Sequence, residues 1–205
     1  EKSEHTTENY ERIIKNSYDI ELLTYDDNIN YTKRLKSAFD IIKKHSKFIY
    51  FVHEDMPLVG KVDNIYLNSL LHYMNNSNEF YIKLVDTTLV NKKEEHESFP
   101  FLNKNFGGYS ISIQPSIFKV DYLSSLMDNI DDNIYGFERL CTNSNMIFSA
   151  VKGNRKIGKY LISNEKFPHI ATAIAKGKWC TSEWGDEIRY IATKYNIDLS
   201  IRGEK

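Results

Sequence analysis

The chain has 205 residues, of which 41% are hydrophobic and 27% are charged, and its formal net charge is −1. This length suits one sizeable domain, and the balance of residue types is typical of a folded soluble protein. A net charge this close to zero, without a basic stripe, gives no reason to expect a nucleic-acid or membrane-surface partner.

The positions of the two cysteines and the hydropathy of the chain argue against several further classes of protein. Cys141 and Cys180 lie far apart and outside any CxxC pair, which argues against a disulfide framework and a thiolate metal site. No apolar run approaches the roughly 18–20 residues that a transmembrane helix needs, and no signal-peptide pattern opens the chain. We therefore expect a cytoplasmic protein without a transmembrane segment.

The first part of the chain predicts a polar segment followed by a strand, a helix and a second strand. We expect a polar N-terminal segment over residues 1–18 and one domain over 19–205. DIELLTY at 19–25 predicts a strand. YTKRLKSAFDIIKKH at 31–45 predicts an amphipathic helix, because apolar residues recur at helical spacing. FIYFV at 48–52 is short and continuously apolar, which predicts a strand covered on both faces.

The rest of the chain continues to alternate between helix and strand patterns. VDNIYLNSLLHYMNN at 62–76 predicts a helix, and its expected inward-facing residues are Ile65, Leu67, Leu70, Leu71 and Met74. The other predicted helices are 120–130, 136–143 and 183–197, the predicted strands are 80–90, 109–119 and 146–151, and the charged segment 91–97 is predicted to be a solvated loop.

Strands that alternate with helices and then become mixed predict a three-layer α/β domain with a partly parallel sheet. Ligands of such sheets bind beyond the carboxyl ends of the strands. His53, Glu54 and Asp55 follow the predicted strand 48–52 directly. We therefore expect these three ionisable side chains at a ligand site.

Two explanations of the acidic strand end are open. A buried carboxylate must be paired, hydrated or metal-bound, and a hard cation such as Mg²⁺ or Mn²⁺ would satisfy it and leave positions for phosphate oxygens. Alternatively, the acidic cluster caps the helix that begins near Val62 or pairs with Lys61.

Several segments together resemble the GT-A type of nucleotide-sugar glycosyltransferase, in particular family-2-like enzymes. FIYFVHEDM resembles the strand that carries the DXD motif of that family, with His53-Glu54-Asp55 as a degenerate form in which Asp55 alone keeps its place. YSISIQPSIFKVDYLSSLM resembles the segment beneath the acceptor site, and NIYGFERL the segment with an acidic residue near the acceptor hydroxyl. KFPHIATAIAKGKW and NIDLSIRG resemble the C-terminal part. The resemblance covers roughly residues 19–203.

This resemblance implies a fold and an activity. The implied fold is a three-layer, GT-A-like α/β fold with a mixed, mostly parallel central sheet. The implied activity is transfer of a sugar from a nucleoside-diphosphate donor to a glycan or polysaccharide acceptor, with a divalent cation, Mn²⁺ or Mg²⁺, as cofactor. Two alternatives are a catalytically inactive carbohydrate- or nucleotide-binding module of the same fold, and a metal-dependent phosphohydrolase.

Sugar transfer requires neutralisation of the diphosphate and deprotonation of the acceptor hydroxyl. Asp55 with a bound cation would do the first. Glu138 in GFERL would do the second, with its pKa raised by the neighbouring Tyr135 and Phe137. Alternatively, Glu138 is a first-turn glutamate that the helix dipole favours. One base without an adjacent nucleophile predicts inversion at the anomeric centre.

The remaining predicted site residues each have a structural alternative. His169 in FPHIA would be a further metal ligand, or a lone histidine at a helix start. Lys33 and Arg34 would contact donor phosphate or base, or form the wet face of an amphipathic helix.

Aromatic and polar residues complete the predicted substrate-binding set. Trp179 and Trp184 in GKWCTSEW would stack on a sugar ring, or plug the core. His53, Glu54 and Gln114 are the other predicted substrate-binding residues.

Overall fold

The computed structural model describes residues 23, 25, 28–108, 110–128, 130–141, 146–157 and 161–205. The predicted segment 1–18 and nearly all of the predicted strand 19–25 lie outside the described residues. The helices are α1 Tyr31–Ile42, α2 Asn64–Asn76, α3 Val120–Leu126, α4 Ile134–Cys141 and α5 Thr181–Tyr195, with a 3₁₀ turn at Leu199–Ile201. The strands are β1 Phe48–Phe51, β2 Tyr81–Lys83, β3 Asp86–Thr87, β4 Lys92–Glu95, β5 Leu102–Phe106, β6 Ser116–Lys119, β7 Ile147–Val151, β8 Arg155–Ile157, β9 Leu161–Ser163, β10 Ile174–Ala175 and β11 Lys178–Trp179.

The main sheet has six strands in the order β1-β6-β2-β7-β5-β4, and it is mixed. Only β2 and β7 pair in parallel, whereas the other four pairings in this sheet are antiparallel. The prediction of a mostly parallel sheet is therefore wrong. The reason is that β6 lies between β1 and β2 in the opposite direction, and that the short connection from β4 to β5 permits only an antiparallel pair.

Helices cover both faces of the main sheet, as predicted for a three-layer α/β arrangement. On one face Phe39 of α1, Leu123 of α3 and Phe137 of α4 belong to a core cluster with sheet residues. On the other face Leu70 and Met74 of α2 pack in a second cluster with further sheet residues. Side chains alternate along each strand, so these two clusters are separated by the sheet itself.

The inner face of α2 differs in part from the predicted one. The buried residues are Tyr66, Leu70 and Met74, whereas Ile65 is 83% exposed. The helix begins after Asp63, whose carboxylate accepts a hydrogen bond from the Tyr66 amide at 3.0 Å and so caps the first turn. Because α2 begins after Asp63 and packs on the sheet, Tyr66 points inward. Ile65 is hydrophobic, but hydrophobicity alone does not decide whether a residue is buried.

Leu70→Ala should lower the free energy of unfolding by about 2–5 kcal/mol, because it leaves a cavity at a fully buried position of α2. Ile65→Ala is the matched control on the same helix, and we expect a change within about 0.5 kcal/mol at that exposed position. Urea titration of both variants measures the difference. Equal losses for the two variants would contradict the described inner face of α2.

Several strand predictions also need correction. Residues 91–97 contain the exposed strand β4 and are not a loop; its mixed charges are typical of an edge strand, where they oppose aggregation. Strand β1 is likewise an edge strand and is mostly half-buried, and it is covered on both faces as predicted: Ile49 and Phe51 pack with one core cluster, and Phe48 and Tyr50 pack with the other. The predicted strand 80–90 is divided into β2 and β3, and the strand predicted at 109–119 is confined to Ser116–Lys119.

A third core cluster lies under α5. It contains Trp179, Trp184 and Ile188 together with Val85, and it joins the C-terminal part of the chain to the segment after β2. The 3-stranded sheet β3-β9-β8 and the 2-stranded sheet β10-β11 complete the described strands. Within the described parts of the chain, no helix has both the length and the apolar character needed to cross a membrane.

Candidate active site

The carboxyl ends of three strands lie at the same edge of the main sheet. β1 and β2 are each antiparallel to β6, and β7 is parallel to β2, so β1, β2 and β7 run in one direction. His53, Glu54 and Asp55 follow β1, and Asp86 follows β2. The acidic residues after β1 thus lie at the kind of edge where α/β sheets usually bind ligands.

Tyr31, the first residue of α1, is hydrogen-bonded at this strand end and lies within the electrostatic reach of Glu138. Its hydroxyl and His53 Nε2 are hydrogen-bonded at 2.7 Å, and His53 Nδ1 lies 3.8 Å from Glu54 Oε2. Burial raises the pKa of the Tyr31 hydroxyl, and the negative charges of Glu138 and Glu54 raise it further. Two carboxylates distant in sequence therefore act on the same phenol.

Glu138 lies in the second turn of α4, because the helix begins at Ile134. The interpretation as a first-turn glutamate is therefore wrong. The Ile113 amide donates a hydrogen bond to Glu138 Oε1 at 2.9 Å and so orients the carboxylate. Of the two aromatic neighbours expected to surround it, Phe137 is buried, whereas Tyr135 is 78% exposed.

Lys83, the last residue of β2, is fully buried on the same face of the sheet as α4. Burial lowers the pKa of its ammonium group to about 7, although the negative charges of Asp86 and Glu138 oppose this shift. In the register of the sheet, Lys83 pairs with Ser116 on one side and Ala150 on the other. These small neighbours leave the lysine side chain room above the sheet.

Asp86 is a second buried titratable side chain at this edge. Its carboxylate accepts hydrogen bonds from Lys93 Nζ at 2.8 Å, from Asn103 Nδ2 at 3.2 Å and from the Thr87 amide at 2.8 Å. Asn105, two residues farther along β5, is fully buried, and neither of its amide atoms has a hydrogen-bond partner among the described residues. Buried polar groups of this kind are concentrated at sites and are rare in apolar cores.

Asp55, which follows β1, contacts the C-terminal part of the chain. Its carbonyl accepts a hydrogen bond from the Ala173 amide at 2.7 Å, and its carboxylate contributes to the electrostatic environment of Cys180. Burial raises the pKa of the Asp55 carboxyl group, and the charge of Glu54 adds to this shift, while His53 opposes it. Glu54 therefore acts on two groups of this strand end, the Asp55 carboxyl group and the Tyr31 hydroxyl.

His169 has no ring nitrogen left for a cation in this arrangement. Its Nδ1 contacts the Met56 carbonyl at 2.7 Å, and its Nε2 contacts the Tyr50 hydroxyl at 2.6 Å. Burial lowers the pKa of the imidazole, which favours its neutral form. His169 thus has the contacts of a buried structural histidine, and these contradict its predicted role as a metal ligand.

The described residues do not fit a metal site with three protein ligands. No group of three His, Cys, Asp or Glu side chains in the described ranges is arranged to hold a metal ion. His53 Nε2 is engaged by Tyr31, and Asp55 is one well-placed carboxylate beside the exposed Glu54. We therefore assign no step of sugar transfer to a cation.

Trp179 and Trp184 are core residues in this structure. Both indoles belong to the cluster under α5, where Trp184 is 1% exposed and Trp179 is 8% exposed. Their burial agrees with the interpretation as a core plug and leaves no ring face for stacking on a sugar.

The predicted donor-binding residues of α1 have local partners. Lys33 Nζ lies 2.5 Å from Asp131 Oδ2 in an exposed ion pair, and Arg34 Nε donates to the Ile29 carbonyl at 2.5 Å. Gln114 lies close to the cluster, where its Oε1 accepts a hydrogen bond from Ser112 and its carbonyl one from Ser116. Gln114 directly follows Ile113, whose amide is hydrogen-bonded to Glu138. Of Lys33, Arg34 and Gln114, the fold therefore brings only Gln114 toward Glu138.

Sequence reasoning missed Tyr31, Lys83 and Asp86. A signal existed for Lys83, since it is the one charged residue within the apolar run FYIKLV. A lysine inside a buried strand must be compensated, and this makes it a candidate site residue. Tyr31 carries no such local signal, because its role depends on the packing of α1 against the end of β1.

Comparison with known proteins gave no match: the chain matches no family model, no curated protein and no solved structure.

Proposed function

We propose that this protein is a glycosyltransferase with a GT-A-like fold. It would transfer a sugar from a nucleoside-diphosphate donor to a hydroxyl group of a glycan or polysaccharide, with inversion. The observation that carries the proposal is the position of Tyr31, which is hydrogen-bonded to His53 and whose pKa is raised by burial and by the negative charges of Glu138 and Glu54. The sequence resemblance assigns Glu138 to the acceptor side of the reaction and Asp55, the neighbour of Glu54, to the donor side.

The proposed chemistry requires one base. The Glu138 carboxylate accepts the proton of the acceptor hydroxyl while the acceptor oxygen forms a bond to the anomeric carbon of the donor sugar. The bond between that carbon and the diphosphate oxygen breaks, and the diphosphate leaves with the electron pair. The Ile113 amide, which donates to Glu138 Oε1, holds the base in one orientation. Attack from the face opposite the leaving group inverts the anomeric centre.

Lys83 supplies a positive charge on the same face of the sheet. Its ammonium group interacts with Glu138 and Asp86, and with a pKa of about 7 it exchanges a proton near neutrality. An anionic diphosphate nearby would favour the protonated form of Lys83, because an opposite charge stabilises the charged state. Donor binding and the charge of Lys83 would then be coupled.

One observation favours a second candidate function, a catalytically inactive module that binds carbohydrate or nucleotide. His169, which the glycosyltransferase interpretation offered as a further metal ligand, is occupied at both ring nitrogens. A domain that keeps the fold and has lost the donor-side chemistry would show this arrangement.

Thermal shift with a panel of UDP-, GDP- and dTDP-sugars, each with and without Mn²⁺, separates the two functions. Stabilisation by one nucleotide sugar is the expected result, since a ligand that binds only the native state raises its stability. The comparison with Mn²⁺ reports whether a divalent cation takes part in donor binding. Lack of stabilisation by every nucleotide sugar would refute the transferase, and transfer of the bound sugar to a glycan distinguishes it from a module that only binds the nucleotide sugar.

A further inference from the structure

A groove runs along α2, between this helix and the connection from β4 to β5. Two adjoining cavities of about 840 Å³ and 330 Å³ form it, and they share Tyr73, Ser77 and Ser98. One wall belongs to α2, and the connection between β4 and β5 provides the other. We call these two cavities the α2 groove. It lies on the face of the sheet opposite to α4 and Glu138.

The larger cavity combines aromatic rings with uncharged polar groups. The ring centroids of Tyr73 and Phe99 lie 5.4 Å apart with a tilt of 41°. Asn68, His72 and Asn76 follow one another at intervals of four along α2 and therefore lie in one row on its surface. No lining residue of this cavity in the described ranges is Asp, Glu, Lys or Arg.

This lining selects a chemical class of ligand. Phosphate groups are held by arginine and lysine, and the larger cavity offers neither among its described residues. The Asn76 amide nitrogen donates to the His72 carbonyl at 2.9 Å, whereas a purely apolar ligand would cover the Asn68 amide and offer it no hydrogen bond. A sugar ring has apolar faces for an aromatic wall and hydroxyl groups for amides, which both donate and accept hydrogen bonds.

The smaller cavity adds groups that suit hydroxyl ligands. His96 lines it, with its Nε2 hydrogen-bonded to the Tyr73 hydroxyl at 2.8 Å, and its buried Nδ1 has no hydrogen-bond partner among the described residues. Glu79 and Lys104 also line this cavity, and Glu79 Oε1 accepts a hydrogen bond from Ser149 at 2.7 Å. Tyr73 belongs to both cavities, so one ligand of several units can contact both.

We propose that the α2 groove binds a neutral oligosaccharide, with sugar rings against Tyr73 and Phe99 and hydroxyl groups on the amides of Asn68 and Asn76. The inference does not rest on the proposed transferase, because the α2 groove and Glu138 lie on opposite faces of the sheet. A saccharide bound there leaves the candidate active site accessible.

Titration of the ¹⁵N-labelled chain with three neutral linear pentasaccharides, cellopentaose, maltopentaose and chitopentaose, tests the proposal. We expect at least one of them to shift amide resonances of α2 and of residues 96–99. The double variant Asn68→Ala/His72→Ala should weaken this binding at least about tenfold, which is the loss expected for one or two hydrogen bonds. Both residues are exposed on a helix, where alanine is tolerated, so the fold should be retained. Asn75→Ala, on the same helix and outside both cavities, is the control that should bind normally.

Three results would overturn the proposal. The first is that none of the three pentasaccharides shifts any resonance. The second is that the double variant binds as tightly as the wild-type chain. The third is that the shifts occur around Tyr31, His53 and Glu138 and vanish in Glu138→Gln, which would place the saccharide at the candidate active site. The Glu138→Gln variant should lose sugar transfer and still bind oligosaccharide in the α2 groove. Failure of the proposed function and failure of the proposed binding site are therefore distinguishable.

Discussion

Replacing Glu138 with glutamine should abolish sugar transfer and leave binding of the nucleotide-sugar donor intact. Glutamine has nearly the same shape, and its amide oxygen can still accept the hydrogen bond from the Ile113 amide. It cannot accept the proton of the acceptor hydroxyl. Loss of a general base typically costs about 10²–10⁴-fold in rate. Single-turnover transfer from the donor identified by thermal shift measures this effect.

The control is the same substitution at an exposed glutamate of the opposite edge strand. Glu94 lies exposed in β4, at the other edge of the main sheet from β1, so Glu94→Gln should transfer sugar at the wild-type rate. Full activity of Glu138→Gln would refute the role of Glu138 as base. Loss of donor binding together with activity would show that Glu138 acts in binding or folding and not as a base.

Lys83→Met should stabilise the protein at neutral pH and change how its stability depends on pH. The pKa of Lys83 is about 7 in the folded protein, and its ordinary value is 10.5. Between these two values the unfolded chain binds the extra proton, so the free energy of unfolding rises with pH. This one group contributes up to about 1.4 kcal/mol per pH unit. Methionine keeps much of the side-chain volume and carries no charge to bury.

The measurement is the difference in unfolding free energy between variant and wild type across that pH window. The variant should be more stable at pH 7, and its advantage should shrink by on the order of 2 kcal/mol by about pH 9, because the wild-type lysine loses its proton in the folded state while the unfolded chain keeps it. Lys61→Met, at an exposed position, should follow the wild-type curve. Parallel pH curves for Lys83→Met and the wild type would contradict the lowered pKa of Lys83.

The activity of Lys83→Met tests whether the Lys83 charge also takes part in donor binding. A buried cation that serves only packing can be replaced by an apolar side chain with no loss of function. A cation that takes part in donor binding should instead give a variant that is more stable and less active. Residues that destabilise the fold and persist at a site commonly show this trade-off.

The elements with strong local periodicity were predictable. The helices α1, α2 and α5 carry apolar residues at helical spacing over three turns or more, and all three lie within one or two turns of their predicted bounds. The short strands were less predictable: the runs predicted at 80–90 and 109–119 are broken, because the turn after Lys83 and the pairing of β6 depend on neighbouring strands.

The candidate site was predictable in its acidic residues and not in their surroundings. An acidic cluster directly after an apolar strand is visible in the sequence, and so is Glu138 in its segment. The hydrogen bonds that occupy His169 and the burial of both tryptophans are long-range results of packing. The link through Tyr31 joins α1, the end of β1 and α4, which no local pattern connects.

The sequence by itself determined the helices, the α/β class and the acidic end of β1, because these follow from spacing along the chain. The tertiary structure decided the order and direction of the strands, the burial of Lys83 and the joining of Glu138 to His53 through Tyr31. The physical reason is that side-chain periodicity is a local property, whereas the direction of a strand and the surroundings of a charge depend on contacts between residues far apart in sequence.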